Sequence, residues 1–217
     1  MKNMELLILP GLGDPEANKY KAVYNLIITE AKNHNFNHIE IIKWPGQNSS
    51  KQKDIKVTLP RCVEEFYVFL KALENKKQLY SIIARSFGCI VFLSTLKVIK
   101  LKYLKKAVLW GPTSYVNHYK LFKQDYENTI KKSIGNNVNI DISFFDTIVP
   151  VEVALENFKN EFELKIACGE KDDLSDPVFL EYLKNMNPEK KIKIKTVPNV
   201  GHEVSEYNQE YISALFN

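Results

Sequence analysis

Ser86 stands in a five-residue turn, Ala84-Arg85-Ser86-Phe87-Gly88, that joins one apolar run to another. The turn matches the pattern Gly-x-Ser-x-Gly, with alanine, the smallest replacement, at the first glycine. Small residues are required because the serine takes a strained backbone conformation, and a larger side chain two positions away would collide with a neighbouring element. The turn therefore predicts Ser86 as a nucleophile at a helix N-terminus, where partial positive charge favours an oxyanion.

A serine in this position can also serve only as the cap of the following helix, so the prediction requires a general base. His202 is the best candidate, because it follows the last predicted strand and the preceding Gly201 lets the chain bend back over the sheet. The other histidines have settings that favour solvent exposure. They are His34 and His38, at the opposite edge of the predicted sheet, and His118, in an irregular segment.

A carboxylate must accompany the base to hold its tautomer and to stabilise the imidazolium. The loop after the apolar run LKIACG offers Asp172, Asp173 and Asp176. Asp172 is the preferred prediction and Asp173 the second choice, because Asp176 immediately precedes a proline and is typical of a helix N-cap. The resulting chain order is Ser86, Asp172, His202.

The first predicted strand ends in the segment PGLGD, residues 10–14. Glycines there allow a backbone N–H to approach a substrate oxygen, so the N–H groups of Leu12 and Phe87 are the predicted oxyanion hole. A glycine-rich turn can instead hold a phosphate or a dinucleotide. Here the third glycine of Gly-x-Gly-x-x-Gly and the Gly-Lys-Ser/Thr phosphate loop are both absent, which disfavours nucleotide binding.

Short apolar runs alternate along the chain with longer segments whose apolar residues recur at helical spacing. The predicted strands are residues 5–10, 38–44, 79–84, 105–110, 164–168 and 191–197, and the predicted helices are 18–33, 58–75, 87–100, 177–185 and 209–216. This alternation predicts an α/β fold, a three-layer αβα sandwich with a mostly parallel six-stranded sheet. The segments described above lie at its carboxyl edge, where ligands bind in such folds.

The alternation breaks at residues 113–159. This segment contains a predicted polar helix at 119–134, a possible short strand at 138–144 and a helix from Val151. It follows a predicted strand end directly, so it is expected to lie beside the other loops of the carboxyl edge.

Composition narrows the class of protein further. The chain has 217 residues and a net charge of +4, but of its 30 basic residues only Arg61 and Arg85 are arginines. Because arginine is favoured for phosphate and base-edge recognition, the scattered lysines predict a solvating surface and no nucleic-acid partner.

Three cysteines in apolar segments predict reduced thiols and a cytoplasmic protein. No apolar stretch reaches the ~18 residues needed to span a membrane.

The segments PGLGD, ARSFG, CGEKDD and NVGH occur in this order at predicted strand ends. With them the chain resembles a compact serine esterase or thioesterase of the α/β-hydrolase fold superfamily. The resemblance implies one domain, residues 1–217, with a small lid insertion at 113–159. It also implies a Ser-His-Asp triad, a small-molecule acyl substrate and no metal or cofactor. A carboxylic ester is the expected substrate, with a thioester or small amide next. Ala84 and Arg85 depart from the family pattern, and neither removes a catalytic atom.

The walls of the substrate pocket are predicted from aromatic residues near these loops. Trp110, Tyr115 and Phe145 are the candidates, with Trp44 in addition, although each could instead pack against the body of the protein. Arg85 is a candidate partner for a nearby carboxylate. The alternative function is a non-catalytic ligand- or protein-binding module of the same fold, which would tolerate loss of a triad residue, whereas all three are present here.

Overall fold

The computed structural model of the protein describes residues 4–113, 123–149, 151, 155, 161–175, 180–181, 185, 192–203, 207 and 209–217. Six strands form one sheet: β1 (Met4–Leu9), β2 (Phe36–Ile41), β3 (Tyr80–Arg85), β4 (Leu104–Trp110), β5 (Glu163–Gly169) and β6 (Ile192–Val197). Their order is β2-β1-β3-β4-β5-β6, and every neighbouring pair is parallel. The predicted six-stranded parallel sheet is confirmed.

Helices cover both faces of the sheet. They are α1 (Asn18–Asn33), α2 (Leu59–Lys76), α3 (Phe87–Thr95) and α4 (Gln209–Phe216). Because successive strand residues point to opposite faces, Leu7 and Leu9 of β1 pack with α2 and α3, whereas Leu6 and Ile8 pack with α1 and α4. This is the predicted three-layer sandwich. Within the described ranges, no helix has the length and apolarity needed to cross a bilayer.

Helix α3 is shorter than predicted, since it ends at Thr95 and not at Lys100. The next N–H groups, those of Lys97 and Val98, bond to the carbonyls three residues earlier, so the chain tightens into a turn. Val98 is 62% exposed. The helix thus ends in a tight turn, and Leu96 and Ile99 of that turn still pack against the core.

Short helical segments occupy the described part of the insertion, residues 123–149. They are a π-helical turn at Glu127–Lys131, a short α-helix at Lys132–Ile134 and 3-10 segments at Gly135–Asn137 and Ile142–Thr147. The strand predicted at 138–144 is wrong, because only Val138 forms a single bridge, with Gln47. Asp141 then accepts a hydrogen bond from Ser143 N and begins a helical turn. Most of the predicted helices 177–185 and from Val151 lies outside the described residues.

Candidate active site

The turn between β3 and α3 holds Ser86 at the carboxyl edge of the sheet. Ser86 has φ 47° and ψ −115°, a strained conformation for a residue with a Cβ atom. Its N–H donates to the carbonyl of Trp110 at 3.0 Å, which ties the turn to β4. A Cβ at Gly88 would come within 2.6 Å of Leu9 O and 2.7 Å of Pro10 O. Glycine therefore lets α3 approach the first loop as closely as a nucleophile elbow requires.

Side chains from three loops form one hydrogen-bonded chain beside this turn. His202 Nε2 lies 3.2 Å from Ser86 Oγ, and His202 Nδ1 lies 3.0 Å from both carboxylate oxygens of Asp172. Gly111, with φ 53°, borders the pair, and a Cβ there would lie 3.1 Å from Asp172 Oδ2 and 3.4 Å from the imidazole. The sequence-predicted Ser86, His202 and Asp172 are thus brought together in the order of a triad.

Asp172 is buried in a site that favours its ionised form. Burial would raise the pKa of Asp172, but the hydrogen bond and charge of His202, with the amides of Ser175 and Leu174, lower the pKa below its ordinary value. Both amides donate to Oδ1 at 3.1 Å. The carboxylate accepts the proton on Nδ1, so the imidazole presents its free Nε2 lone pair to Ser86.

None of the other acid and base candidates within the described residues hydrogen-bonds to Ser86 or His202. Asp173 is exposed and stands at the outer wall of the cavity over Ser86, and Asp176 lies outside the described residues. His34 Nε2 lies 3.5 Å from Glu30, and His38 Nε2 lies 3.6 Å from Glu5 on the opposite edge of the sheet. His118, like Asp176, is outside the described part of the chain.

An open cavity of about 410 Å³ lies over Ser86, within the range of small-molecule sites. Loops of the carboxyl edge and the insertion share its wall: Leu12, Gly13, Tyr20, Arg85, Thr113, Thr129, Ile130, Ser133, Ile134, Lys171, Asp173, Leu174 and residues 201–203. Both apolar and polar side chains line it. The cavity therefore offers an acyl group a partly apolar environment next to Ser86.

Comparison with known proteins supports the fold but gives no close relative. No protein-family model matches the sequence, and no curated protein matches it. Among solved structures, E-2-(acetamidomethylene)succinate hydrolase superposes with a TM-score of 0.68 at 10% identity, over 100% of this chain and 91% of the other. An N-acyl homoserine lactone degrading enzyme has a TM-score of 0.68 at 13% identity, over 100% of this chain and 93% of the other. An esterase from Exiguobacterium antarcticum has a TM-score of 0.66 at 12% identity, over 99% and 91%. The chain has the α/β-hydrolase fold.

In this α/β-hydrolase fold the first loop, residues 10–14, is held by a buried amide that the sequence did not point to. Gln47 Nε2 donates to the carbonyls of Gly13 at 3.0 Å and Leu12 at 3.3 Å, while its Oε1 accepts from Trp44 N at 2.7 Å. Trp44 Nε1 donates to Pro10 O at 3.0 Å. Three carbonyls of the loop, those of Pro10, Leu12 and Gly13, are thus fixed from the loop after β2.

Arg85 lies beneath the His202 loop, packed among aromatic rings. Its guanidinium carbon is 5.4 Å from the Trp110 ring and 5.7 Å from the Tyr207 ring, and Nη2 donates to His202 O at 2.9 Å. Burial raises the pKa of Tyr207 to about 12, so its hydroxyl stays protonated and donates to the same carbonyl at 2.7 Å. No carboxylate of the described residues pairs with Arg85; it fixes the backbone of the base instead.

The aromatic residues predicted to line the pocket belong to the core. Trp110 is fully buried and packs against Tyr207 and Tyr211, on the α1 and α4 face of the sheet. Phe145 is 1% exposed and packs against Phe144. Neither lines the cavity over Ser86, and neither does Trp44. The structure thus places these side chains in the core and not on the cavity wall, because a position near a strand end or in the insertion does not reveal which way a side chain points. Tyr115 lies outside the described residues.

One group of potential metal ligands occurs among the described residues, away from this site. Glu5, His38 and Glu40 lie together at the amino edge of β1 and β2. Glu5 Oε1 is 3.6 Å from His38 Nε2, and Gln78 Nε2 donates to Glu5 Oε2 at 2.7 Å. These contacts already provide the buried carboxylate with partners, and the group is at the other edge of the sheet from Ser86.

Proposed function

We propose that the protein is a serine hydrolase that cleaves a carboxylic ester through an acyl-enzyme, with Ser86 as nucleophile, His202 as general base and Asp172 as orienting acid. The observation that carries the proposal is the continuous hydrogen-bond chain from Asp172 through His202 to Ser86 Oγ. This chain ends at a strained serine that faces a cavity. A buried carboxylate, an imidazole and a hydroxyl in this order can move one proton away from the attacking oxygen.

The reaction proceeds in two steps. Ser86 Oγ attacks the ester carbonyl and its proton passes to His202 Nε2, which then protonates the departing alcohol. Water attacks the acyl-enzyme in the second step, gives its proton to His202, and Ser86 regains a proton as the acid is released. The negative charge of Asp172 stabilises the imidazolium in both steps.

The oxyanion is proposed to bind the N–H groups of Leu12 and Phe87. Phe87 is the first residue of α3, so its N–H has no acceptor in a preceding helical turn. Leu12 borders the cavity in the loop held by Gln47. Two backbone N–H donors directed at the carbonyl oxygen would stabilise the charge that develops on it.

The substrate is proposed to be a small acyl ester, with a thioester or small amide as second and third choices. Ile130 and Ile134, from the insertion, line the cavity and offer an acyl chain apolar contact. On this basis residues 113–159 are proposed to act as a small lid on a single domain. All three cysteines are buried and none of them forms a disulfide, which supports a reducing, cytoplasmic location as part of the same proposal.

A fluorophosphonate probe tests the nucleophile directly, because it reacts with activated serines whatever the natural substrate. We expect the folded wild-type protein to be labelled and Ser86→Ala to lose the label. Ser94→Ala is the matched control: it removes a serine hydroxyl of α3 that has no partner among the described residues, and its labelling should equal that of the wild type.

Absence of label on folded wild-type protein would contradict the hydrolase and leave the non-catalytic binding module as the interpretation. A label that persists in Ser86→Ala would assign the nucleophile to another residue. For a labelled protein, a panel of p-nitrophenyl esters of increasing acyl length, beside matched thioesters and amides, then ranks the substrate classes by kcat/KM.

A further inference from the structure

Thr113 is the first residue after the turn that ends β4, and its hydroxyl contacts the nucleophile. Thr113 Oγ1 lies 3.3 Å from Ser86 Oγ, and the threonine is 1% exposed. It borders the same cavity as Ser86 and His202. Nothing in the sequence motifs singled it out, because it is separated from Ser86 by a whole strand.

The hydrogen-bond chain determines which hydroxyl is the donor in this contact. Asp172 accepts from His202 Nδ1, so Nε2 is the acceptor for the single proton of Ser86. A serine hydroxyl has one proton and two lone pairs. The proton between Ser86 and Thr113 must then come from Thr113, and Ser86 Oγ accepts it.

We propose that Thr113 is a further catalytic residue, whose hydroxyl donates to Ser86 Oγ and stabilises the negative charge that develops there. During attack the O–H bond of Ser86 breaks, its proton moves to His202 Nε2, and the Oγ–carbon bond forms as the carbonyl electron pair moves onto oxygen. Nε2 then gives that proton to the departing alcohol. During deacylation water adds to the acyl carbon and its proton passes to Nε2; the carbon–Oγ bond then breaks, its electron pair returns to Oγ, and Nε2 gives that proton to Oγ. Thr113 keeps its own proton throughout. The inference rests on the proposed serine hydrolase function.

The backbone that leads into Thr113 is tied to β5 and to the loop after β5, which carries Asp172. Gly111 N donates to Ala167 O at 2.7 Å. The buried hydroxyl of Ser175 lies 2.7 Å from Pro112 O and 3.2 Å from Asp172 Oδ2. The turn that carries Thr113 is therefore positioned by the same loop that positions the acid. A donor fixed in advance costs no reorganisation when charge develops.

The test measures the second-order rate of fluorophosphonate labelling, which reports the reactivity of Ser86 without knowledge of the substrate. Thr113→Val has the same shape without the hydroxyl, and we expect its labelling rate to be about one tenth of the wild-type rate or lower. Thr113→Ser restores the donor and should recover the rate to within about threefold. Thr95→Val is the matched control, since Thr95 is buried in α3 and its hydroxyl donates to Val91 O, away from the site.

With any p-nitrophenyl ester that the wild type hydrolyses, Thr113→Val should lower kcat and leave KM nearly unchanged. Equal labelling rates for wild type and Thr113→Val, with Ser86→Ala unlabelled, would overturn the role of Thr113 and leave the hydrolase intact. Absence of label in the wild type would instead contradict the proposed function. If thermal unfolding shows that Thr113→Val does not fold, the labelling rates of Thr113→Ala and Thr113→Ser are compared instead. A rate about tenfold lower in Thr113→Ala supports the role of the hydroxyl, and equal rates refute it.

Discussion

At the scale of single residues, the site depends on a few positions where the backbone has little freedom. Ser86 takes a positive φ without being glycine, which costs about 1–3 kcal/mol and persists only where neighbours enforce it. Two contacts enforce it here: the hydrogen bond from Ser86 N to Trp110 O and the close packing of Gly88 against Leu9 O. Ser86 is thereby held with Oγ towards His202 and not towards the helix that it precedes.

Asp172 gives the sharpest prediction at this scale. Asp172→Asn keeps the size of the side chain but replaces the charge that stabilises the imidazolium and sets the tautomer, so kcat/KM for an ester should fall about 10³-fold or more. Asp173→Asn is the matched control, because Asp173 is exposed, and it should keep most of the activity. The kinetics of the two variants can be measured with one p-nitrophenyl ester.

The opposite pattern would show that the acid has been chosen wrongly. Near-normal turnover of Asp172→Asn together with a large loss in Asp173→Asn or Asp176→Asn would reassign the role to the affected aspartate.

At the scale of elements, the loop after β1 and the loop after β2 act as one unit. Gln47 is fully buried and joins them through its bonds to Leu12 O, Gly13 O and Trp44 N. Asp14 adds a second tie, since Ser49 N donates to its Oδ2 at 2.8 Å. The predicted oxyanion donor Leu12 is therefore positioned by a loop that contributes no residue to the triad.

Gln47→Leu should weaken both stability and activity. The substitution leaves buried carbonyls and an amide without partners, so the free energy of unfolding in urea should fall by about 2–4 kcal/mol, and the labelling rate of Ser86 should fall in the variant that remains folded. Gln52→Leu, whose amide donates to Glu65 at the surface, is the matched control and should change neither quantity measurably. A Gln47→Leu protein with wild-type stability would show that the two loops are held by other contacts.

At the scale of the whole molecule, the sequence predicted the sheet because parallel strands buried on both faces are short apolar runs that end in turn residues. It also predicted that Ser86, His202 and one aspartate of the loop after β5 would lie together at strand ends, and the side chain that contacts His202 is that of Asp172. Thr113 and Gln47 carry no recognisable motif, and their contacts appear only when loops distant in sequence meet. Trp110 and Phe145 were misassigned for a related reason. Their types fit a pocket wall, but the register of β4 and the packing of the insertion direct them into the core.

The pH dependence of unfolding tests the electrostatics of the folded chain as a whole. The pKa of Asp172 is lower in the folded state than its ordinary value of 3.8, so folding favours the carboxylate. Its contribution to stability is therefore present above that ordinary value and is lost as the pH falls through the lower folded value. The free energy of unfolding of wild type minus that of Asp172→Asn should shrink as the pH falls below about pH 4.

The free energy of unfolding of Asp172→Asn should still depend on pH, because other carboxylates also have lowered pKa values. Burial would raise the pKa of Glu203, but Lys19 lowers it below the ordinary value, and a hydrogen bond from Lys56 lowers that of Asp141. Because of these two groups, the free energy of unfolding should fall at acid pH in every variant. Urea unfolding from pH 3 to pH 8 measures the difference, with Asp173→Asn expected to follow the wild type. A difference that grows as the pH falls below about pH 4 would mean that the folded state does not favour the Asp172 carboxylate, and the acid in the proposed triad would have to be another residue.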